Sequence, residues 1–116
     1  MTDALPDIGV KEMLLWLLRR RYRLRVVGQS MVPLLQPGEE VLVDGRAYGA
    51  EPPESGDVVV ARHPHRDLKL VKRVTTVRED GSCLLSGDNP RESSDSRQFG
   101  AVPRDHILGR VTCRFG

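Results

Sequence analysis

The hydrophobic residues of this chain form one short block, and after residue 21 they form several runs with a period of two. The block lies within residues 11–21, which end in three consecutive arginines. Apolar residues at helical spacing predict one short helix there, with Leu14, Leu17 and Leu18 packed on the body of the protein. Arginines in its last turn would fit the negative end of the helix dipole. Residues 1–10 are polar and predict a loose lead-in.

Strands are predicted from residue 22 onward. Tyr22, Leu24 and Val26 alternate with arginines, so that one face of the first strand is apolar. Asp80 and Gly81 separate two later runs and predict a hairpin. Many short strands divided by turns predict a mainly β fold, a barrel-like arrangement of antiparallel strands behind the helix. The further β-rich runs cover residues 41–43, 58–61, 70–77, 83–85 and 107–115.

Composition narrows the classes of protein that remain. A chain of 116 residues is one domain, residues 1–116, with residues 22–116 as its β core. A net charge of +2 and 4% aromatic residues argue against a nucleic-acid-binding protein of the stacking type. The two cysteines, Cys83 and Cys113, are too few for a disulfide framework and are expected to be small buried residues.

No membrane-spanning segment is predicted. The apolar stretch inside residues 11–21 is six residues long, whereas a spanning helix needs about 20. Because Trp16 lies beside the basic cluster, a helix that rests on a membrane surface stays open as the alternative.

Two segments hold a reactive group in a restricted setting. Ser30 follows Gly28 and precedes Pro33, so its hydroxyl lies at a bend, although a serine that only caps a turn fits as well. In the strand of residues 69–74, period two puts Lys72 on a face with apolar neighbours. Burial lowers the pKa of an amine and makes it a usable general base. The alternative is an edge strand with both of its cations in water.

Residues 86–106 are too polar for a core strand and too long for a simple turn, which is typical of a functional loop. The loop offers hydroxyl groups that could hold an amine, and a pair formed by Asp95 and Arg97 could lock its shape.

A histidine pair is the only hint of a metal site in the sequence. His63 and His65 lie two residues apart, so both rings can share one face of a strand end, with Asp67 nearby. No fourth ligand is specified, and a solvated turn is therefore expected.

Four motifs in this order resemble the type I signal peptidase family, peptidase family S26, whose members are serine/lysine-dyad proteases. The first motif, which contains Ser30, differs from the family pattern at one position, where Leu34 replaces the family's threonine. The matching residues are Ser30, Met31 and Pro33; residues 38–43 with residues 56–60; Lys72 and Arg73; and Gly87, Asp88, Asn89, Ser93, Asp95, Ser96 and Arg97.

The resemblance implies a role for each matched residue. Ser30 is the nucleophile, and its backbone N–H contributes to the oxyanion hole. Lys72 is the neutral general base, and Ser93 orients its amine. The family often has a hydroxyl where this chain has Gly28, which leaves open whether the oxyanion hole lacks one donor. The residues implied to support the site are Gly28, Met31, Pro33, Arg73, Asp88, Asp95 and Arg97.

The resemblance also implies a function. Because the chain shows neither a spanning segment nor a large insert after the lysine strand, it resembles most the small soluble branch of nickel-type superoxide dismutase maturation proteases. The implied activity is a cytoplasmic serine endopeptidase that removes an N-terminal leader from a precursor, with no cofactor and no nucleic acid.

Three alternatives to this function stay open. One is a catalytically silent peptide-binding module of the same fold, and another is a self-cleaving relative of the LexA-type repressors. The third is a peptidase at the inner membrane surface that contacts the membrane through residues 11–21.

Overall fold

Six strands form one antiparallel sheet in the computed structural model, which describes residues 5–89, 91 and 95–115. The order of strands across the sheet is β1-β2-β6-β3-β4-β5. In chain order the elements are α1 (Val10–Leu17), β1 (Tyr22–Arg25), β2 (Glu40–Asp44), β3 (Val58–Arg62), β4 (Lys69–Val77), β5 (Cys83–Ser86), α2 (Ser96–Phe99), a 3-10 turn (Arg104–His106) and β6 (Ile107–Arg114).

The predicted mainly β class is confirmed, but the sheet is open. Within the described residues the first strand in the sheet order, β1, pairs only with β2. The last strand, β5, pairs with β4 and otherwise only through a single bridge between Cys83 and Val102. The predicted barrel-like arrangement therefore overstates how far the sheet is closed. The predicted hairpin joins β4 to β5, and Gly81 adopts the positive φ of +87° that this turn requires.

The core lies on both faces of β3. Alternate residues of this strand point to opposite sides, and all four from Val58 to Ala61 are buried. Both cysteines are buried, as predicted. One cluster contains Val26, Met31, Leu35, Val41, Val43, Val58, Val60 and Val111. The other contains Val59, Ala61, Val74, Cys83, Leu85, Phe99, Val102 and Ile107.

Helix α1 does not pack in the predicted way. Leu14, Leu17 and Leu18 are 53%, 62% and 70% exposed, so the prediction that they pack on the body is wrong. The helix also ends before the arginines, because Arg19 takes a left-handed φ of +62°. The predicted placement of arginines in its last turn is therefore wrong as well.

A different face of α1 makes the contact with the sheet. The Trp16 ring packs edge-on against Phe115, with ring centroids 4.8 Å apart. Glu12 forms an ion pair with Arg21 at 3.0 Å. Before the helix, the carbonyl oxygen of Pro6 accepts a hydrogen bond from the Arg114 N–H at 2.9 Å, which ties this part of the lead-in to β6. Within the described residues, no helix combines the length and the apolar character that crossing a bilayer requires.

Candidate active site

A groove of about 500 Å³ runs between β1 and the first half of β4. These strands are separated by three others in the sheet order, so the sheet must bend strongly to bring both to one cavity. Gly28, Ser30 and Lys72 all line this groove. The two residues that the sequence singled out for chemistry, 42 positions apart in the chain, therefore share one cavity.

Ser30 stands on a turn that is fixed from both sides. Gly28 precedes it with a φ of +80°, a backbone conformation that favours glycine. After it, the Leu35 N–H donates to the Met31 carbonyl at 2.9 Å, and both of these side chains are fully buried in the core. The turn thereby anchors the backbone next to Ser30, while Pro33 is exposed. Met31 thus supports the turn through packing.

Lys72 is the buried cation of β4, as the two-residue period predicts. It is 3% exposed, lies opposite Val59 in the register with β3, and is followed on the same face by buried Val74. Burial lowers the pKa of the Lys72 amine from its ordinary value, and the negative charge of Asp95 opposes that shift. A lowered pKa gives a larger neutral fraction at physiological pH, which is what a general base needs.

The turn at residues 87–89 ties the serine turn to the lysine strand. The Asp88 carboxylate accepts two hydrogen bonds from the Arg73 guanidinium, each 2.9 Å long. The next residue, Asn89, donates its backbone N–H to the Ser30 carbonyl at 2.8 Å and its side-chain amide to the Gln29 carbonyl at 3.1 Å. Adjacent residues thus hold the neighbours of both candidate catalytic groups.

Asn89 is a positioning residue that the sequence reasoning matched to a motif without giving it a role. The signal was its place directly after Asp88 in the fourth motif, which begins at Gly87. Its two partners lie about 60 positions earlier in the chain, so local spacing does not reveal them.

Asp95 and Arg97 form the expected pair. Asp95 is 1% exposed, and its carboxylate accepts hydrogen bonds from the backbone and the side chain of Arg97, both 3.0 Å long. Burial alone would raise the Asp95 pKa, but these hydrogen bonds hold it below its ordinary value. Asp95 also caps α2 in a capping box with Gln98. A charged Asp95 is therefore fixed near Lys72. Ser93, the residue implied to orient the Lys72 amine, lies outside the described residues.

Comparison with known proteins identifies the family to which these elements belong. The family model for signal peptidase, peptidase S26, matches residues 13–80 and 75–115. The chain belongs to this family.

The relatives of this signal peptidase family member include organellar and bacterial enzymes. It is 34% identical over 110 residues to the mitochondrial ATP-independent inner membrane protease subunit 1b of Arabidopsis thaliana, covering 75% of this chain and 65% of the relative. It is 28% identical over 135 residues to signal peptidase I of Leptolyngbya laminosa, covering 78% and 66%. The chain therefore spans just under two thirds of the length of these two curated relatives.

In this signal peptidase family member, both residues of the histidine pair contact Phe99. His63 is buried, with its ring against Phe99 at a centroid distance of 4.7 Å, so the expected solvated turn is wrong at this residue. The ring nitrogen of His65 lies 3.2 Å from the Phe99 carbonyl oxygen. Burial lowers the pKa of His63, which favours a neutral ring against Phe99. The described part of the chain contains no cluster of three His, Cys, Asp or Glu side chains that could hold a metal ion.

Burial of Lys72 makes the stability of the fold depend on pH. Because the pKa of Lys72 is lowered in the folded state, the unfolded chain binds more protons between that value and about 10.5. The cost of burying the charged amine is full below the folded pKa and fades as pH rises. We expect the free energy of unfolding of the wild type, relative to that of Lys72→Met, to rise between about pH 7 and pH 10 in urea titrations. The same difference at both pH values would contradict the burial of a titrating amine.

Proposed function

We propose that this chain is a serine endopeptidase that removes a leader from a precursor protein, with Ser30 as the nucleophile and Lys72 as the general base. One observation carries the proposal: Ser30 and the buried Lys72 line the same groove in a member of the peptidase S26 family. A hydroxyl beside an amine of lowered pKa is an activated nucleophile, because the neutral amine can take the proton of the hydroxyl.

Acylation follows from this pair. The neutral Lys72 Nζ takes the proton of the Ser30 hydroxyl while Oγ attacks the scissile carbonyl carbon. The backbone N–H of Ser30 donates a hydrogen bond to the resulting oxyanion. The Lys72 ammonium then gives its proton to the leaving amine, the C–N bond breaks, and an ester on Ser30 remains.

Deacylation repeats the same steps with water. Lys72, neutral again, takes a proton from a water molecule that attacks the ester carbonyl. The second tetrahedral intermediate collapses, Ser30 leaves as the alkoxide, and the Lys72 ammonium returns the proton to it. We assign to the Ser93 hydroxyl the role of orienting the Lys72 amine.

The substrate would bind as an added strand. In the described part of the chain, β1 pairs on one side only, and β5 reaches β4 only from Arg73 onward. Residues 69–72 of β4 therefore offer an edge on that side, and the edge of β1 also borders the groove. An extended peptide laid between two such edges gains main-chain hydrogen bonds to both.

The precursor of a nickel-type superoxide dismutase is the substrate we propose for this site. The support is a resemblance: the four motifs are those of the signal peptidase family, and the short segment after the lysine strand, without a large insert, resembles the maturation proteases of that enzyme. Cleavage in the cytoplasm belongs to the same proposal.

Incubation with such a precursor tests the function. The expected result is a single new N-terminus on the precursor, read by mass spectrometry, and no product with Ser30→Ala. Cleavage that continues undiminished in Ser30→Ala would contradict the assigned nucleophile. Binding of the precursor without cleavage by the wild type would instead support a silent peptide-binding module.

Contact with a membrane surface is a second candidate that α1 favours. Val10, Leu17 and Leu18 are at least 62% exposed, and the exposed cations Arg19 and Arg20 follow them directly. An apolar helix face beside cations is the pattern of an interfacial helix on anionic lipid. Flotation with anionic vesicles is expected if this contact forms, and a protein that stays in the dense fraction would exclude it.

A further inference from the structure

The walls of the groove carry two cations besides Lys72. Arg25 lies on the β1 side, and Lys69 lies on the β4 side. Both side chains are exposed, and no aspartate or glutamate is among the described residues that line the groove. The remaining wall is mostly apolar, with Leu24, Val26, Leu70 and Val71 among its side chains.

Neither cation forms an ion pair within the described part of the chain. Glu40 lies opposite Arg25 in the β1–β2 register and its charge acts on Arg25, but its carboxylate is paired with Arg23 at 2.7 Å. Asp67, two residues before Lys69, does not line the groove. Arg25 and Lys69 take part in none of the ion pairs formed among the described residues. Each wall of the groove therefore carries an exposed cation, and no carboxylate of the described residues lines the groove.

The position of Lys69 sets where a substrate would meet this charge. It precedes Lys72 by three residues on one strand, which is roughly 10 Å at the rise of a β-strand. An extended peptide beside β4 has the same rise, so the side chain near Lys69 belongs to a residue about three positions from the scissile bond.

We infer that this groove selects peptides that carry an acidic residue about three positions from the scissile bond. The inference rests on the proposed function for the location of that bond, and it adds the charge class of the substrate. Opposite charges across such a surface contribute modestly to affinity but discriminate against a like charge, which meets two cations.

Binding to an inactive variant tests the inference apart from catalysis. Peptides of one sequence would carry Glu, Gln or Lys at the third position on either side of the scissile bond, and fluorescence anisotropy would give their Kd for Ser30→Ala. We expect the Kd to rise roughly three- to fivefold from Glu to Gln and again from Gln to Lys at low salt. The differences should shrink at about 1 M salt, because the charges are exposed.

Charge variants identify the residues responsible. Lys69→Gln and Arg25→Gln, each in the Ser30→Ala background, are expected to reduce the preference for Glu over Lys. Arg46→Gln is the matched control, because Arg46 is exposed but lies outside the groove. Equal Kd values for the Glu and Lys peptides, or a preference that survives both groove variants, would overturn the inference. Failure of the wild type to cleave any peptide that binds would overturn the proposed function instead.

Discussion

Replacing Lys72 with methionine is expected to lower kcat/KM for peptide cleavage by about 10²- to 10⁴-fold, the contribution that a positioned general base makes. Methionine has nearly the same length as lysine and fills the same buried space, but it cannot accept the Ser30 proton. The fold should persist, because a buried amine with a lowered pKa is replaced by an apolar side chain. Steady-state kinetics and urea unfolding of the same preparation measure the two effects separately.

Lys11→Met is the matched control for this prediction. Lys11 is one of three lysines in the chain, and it is exposed on α1. The same change of side chain should leave kcat/KM within about twofold, the range of most surface substitutions. Activity of Lys72→Met equal to that of Lys11→Met would show that another group takes the proton.

Replacing Asp88 with asparagine is expected to lower the free energy of unfolding by about 2–3 kcal/mol. The substitution removes one of two hydrogen bonds from the Arg73 guanidinium and leaves its charge without the carboxylate. Both side chains of this ion pair are at most 15% exposed, so water replaces the lost partner poorly. Because Asn89 follows directly and holds the Ser30 backbone, kcat/KM should fall as well.

Glu40→Gln provides the comparison for Asp88→Asn. Its ion pair with Arg23 is shorter, at 2.7 Å, but both side chains are about one third exposed. Exposed pairs contribute little because water and salt screen them, so this variant should unfold at nearly the wild-type urea concentration. A loss of stability in Glu40→Gln as large as that in Asp88→Asn would show that burial of the Arg73–Asp88 pair is not what makes it important.

The strands were predictable because their sequence pattern and their structure share one cause. Where apolar residues alternate between two turns, only one face of the strand can be buried, so the pattern fixes the strand. Accordingly, β4 and β6 lie within one residue of the predicted bounds. The same period identified Lys72 as the buried cation, with Arg73 turned to the other side of β4. The period alone left open an edge strand with both cations in water, and the structure shows that Lys72 is buried opposite Val59 of β3.

The packing of α1 was not predictable from its own residues. Its apolar stretch offers more than one face, and the choice between them depends on Phe115, about 100 positions away. The role of Asn89 was hidden for the same reason, since its partners are the backbone carbonyls of Gln29 and Ser30. Contacts of this kind depend on tertiary placement, which no periodicity reports.

The rate at which Ser30 is acylated, followed as a function of pH in the wild type and in Lys72→Met, addresses the proposed pair most directly. A peptide ester would be the substrate, acid would stop the reaction, and the mass of the proteolytic fragment that contains Ser30 would report the adduct. The wild type should gain one acyl group on that fragment, faster as pH rises through a single ionisation below 10.5, and Lys72→Met should lack that ionisation. An adduct on a different fragment, or the same pH dependence in both proteins, would contradict the assignment of Ser30 and Lys72.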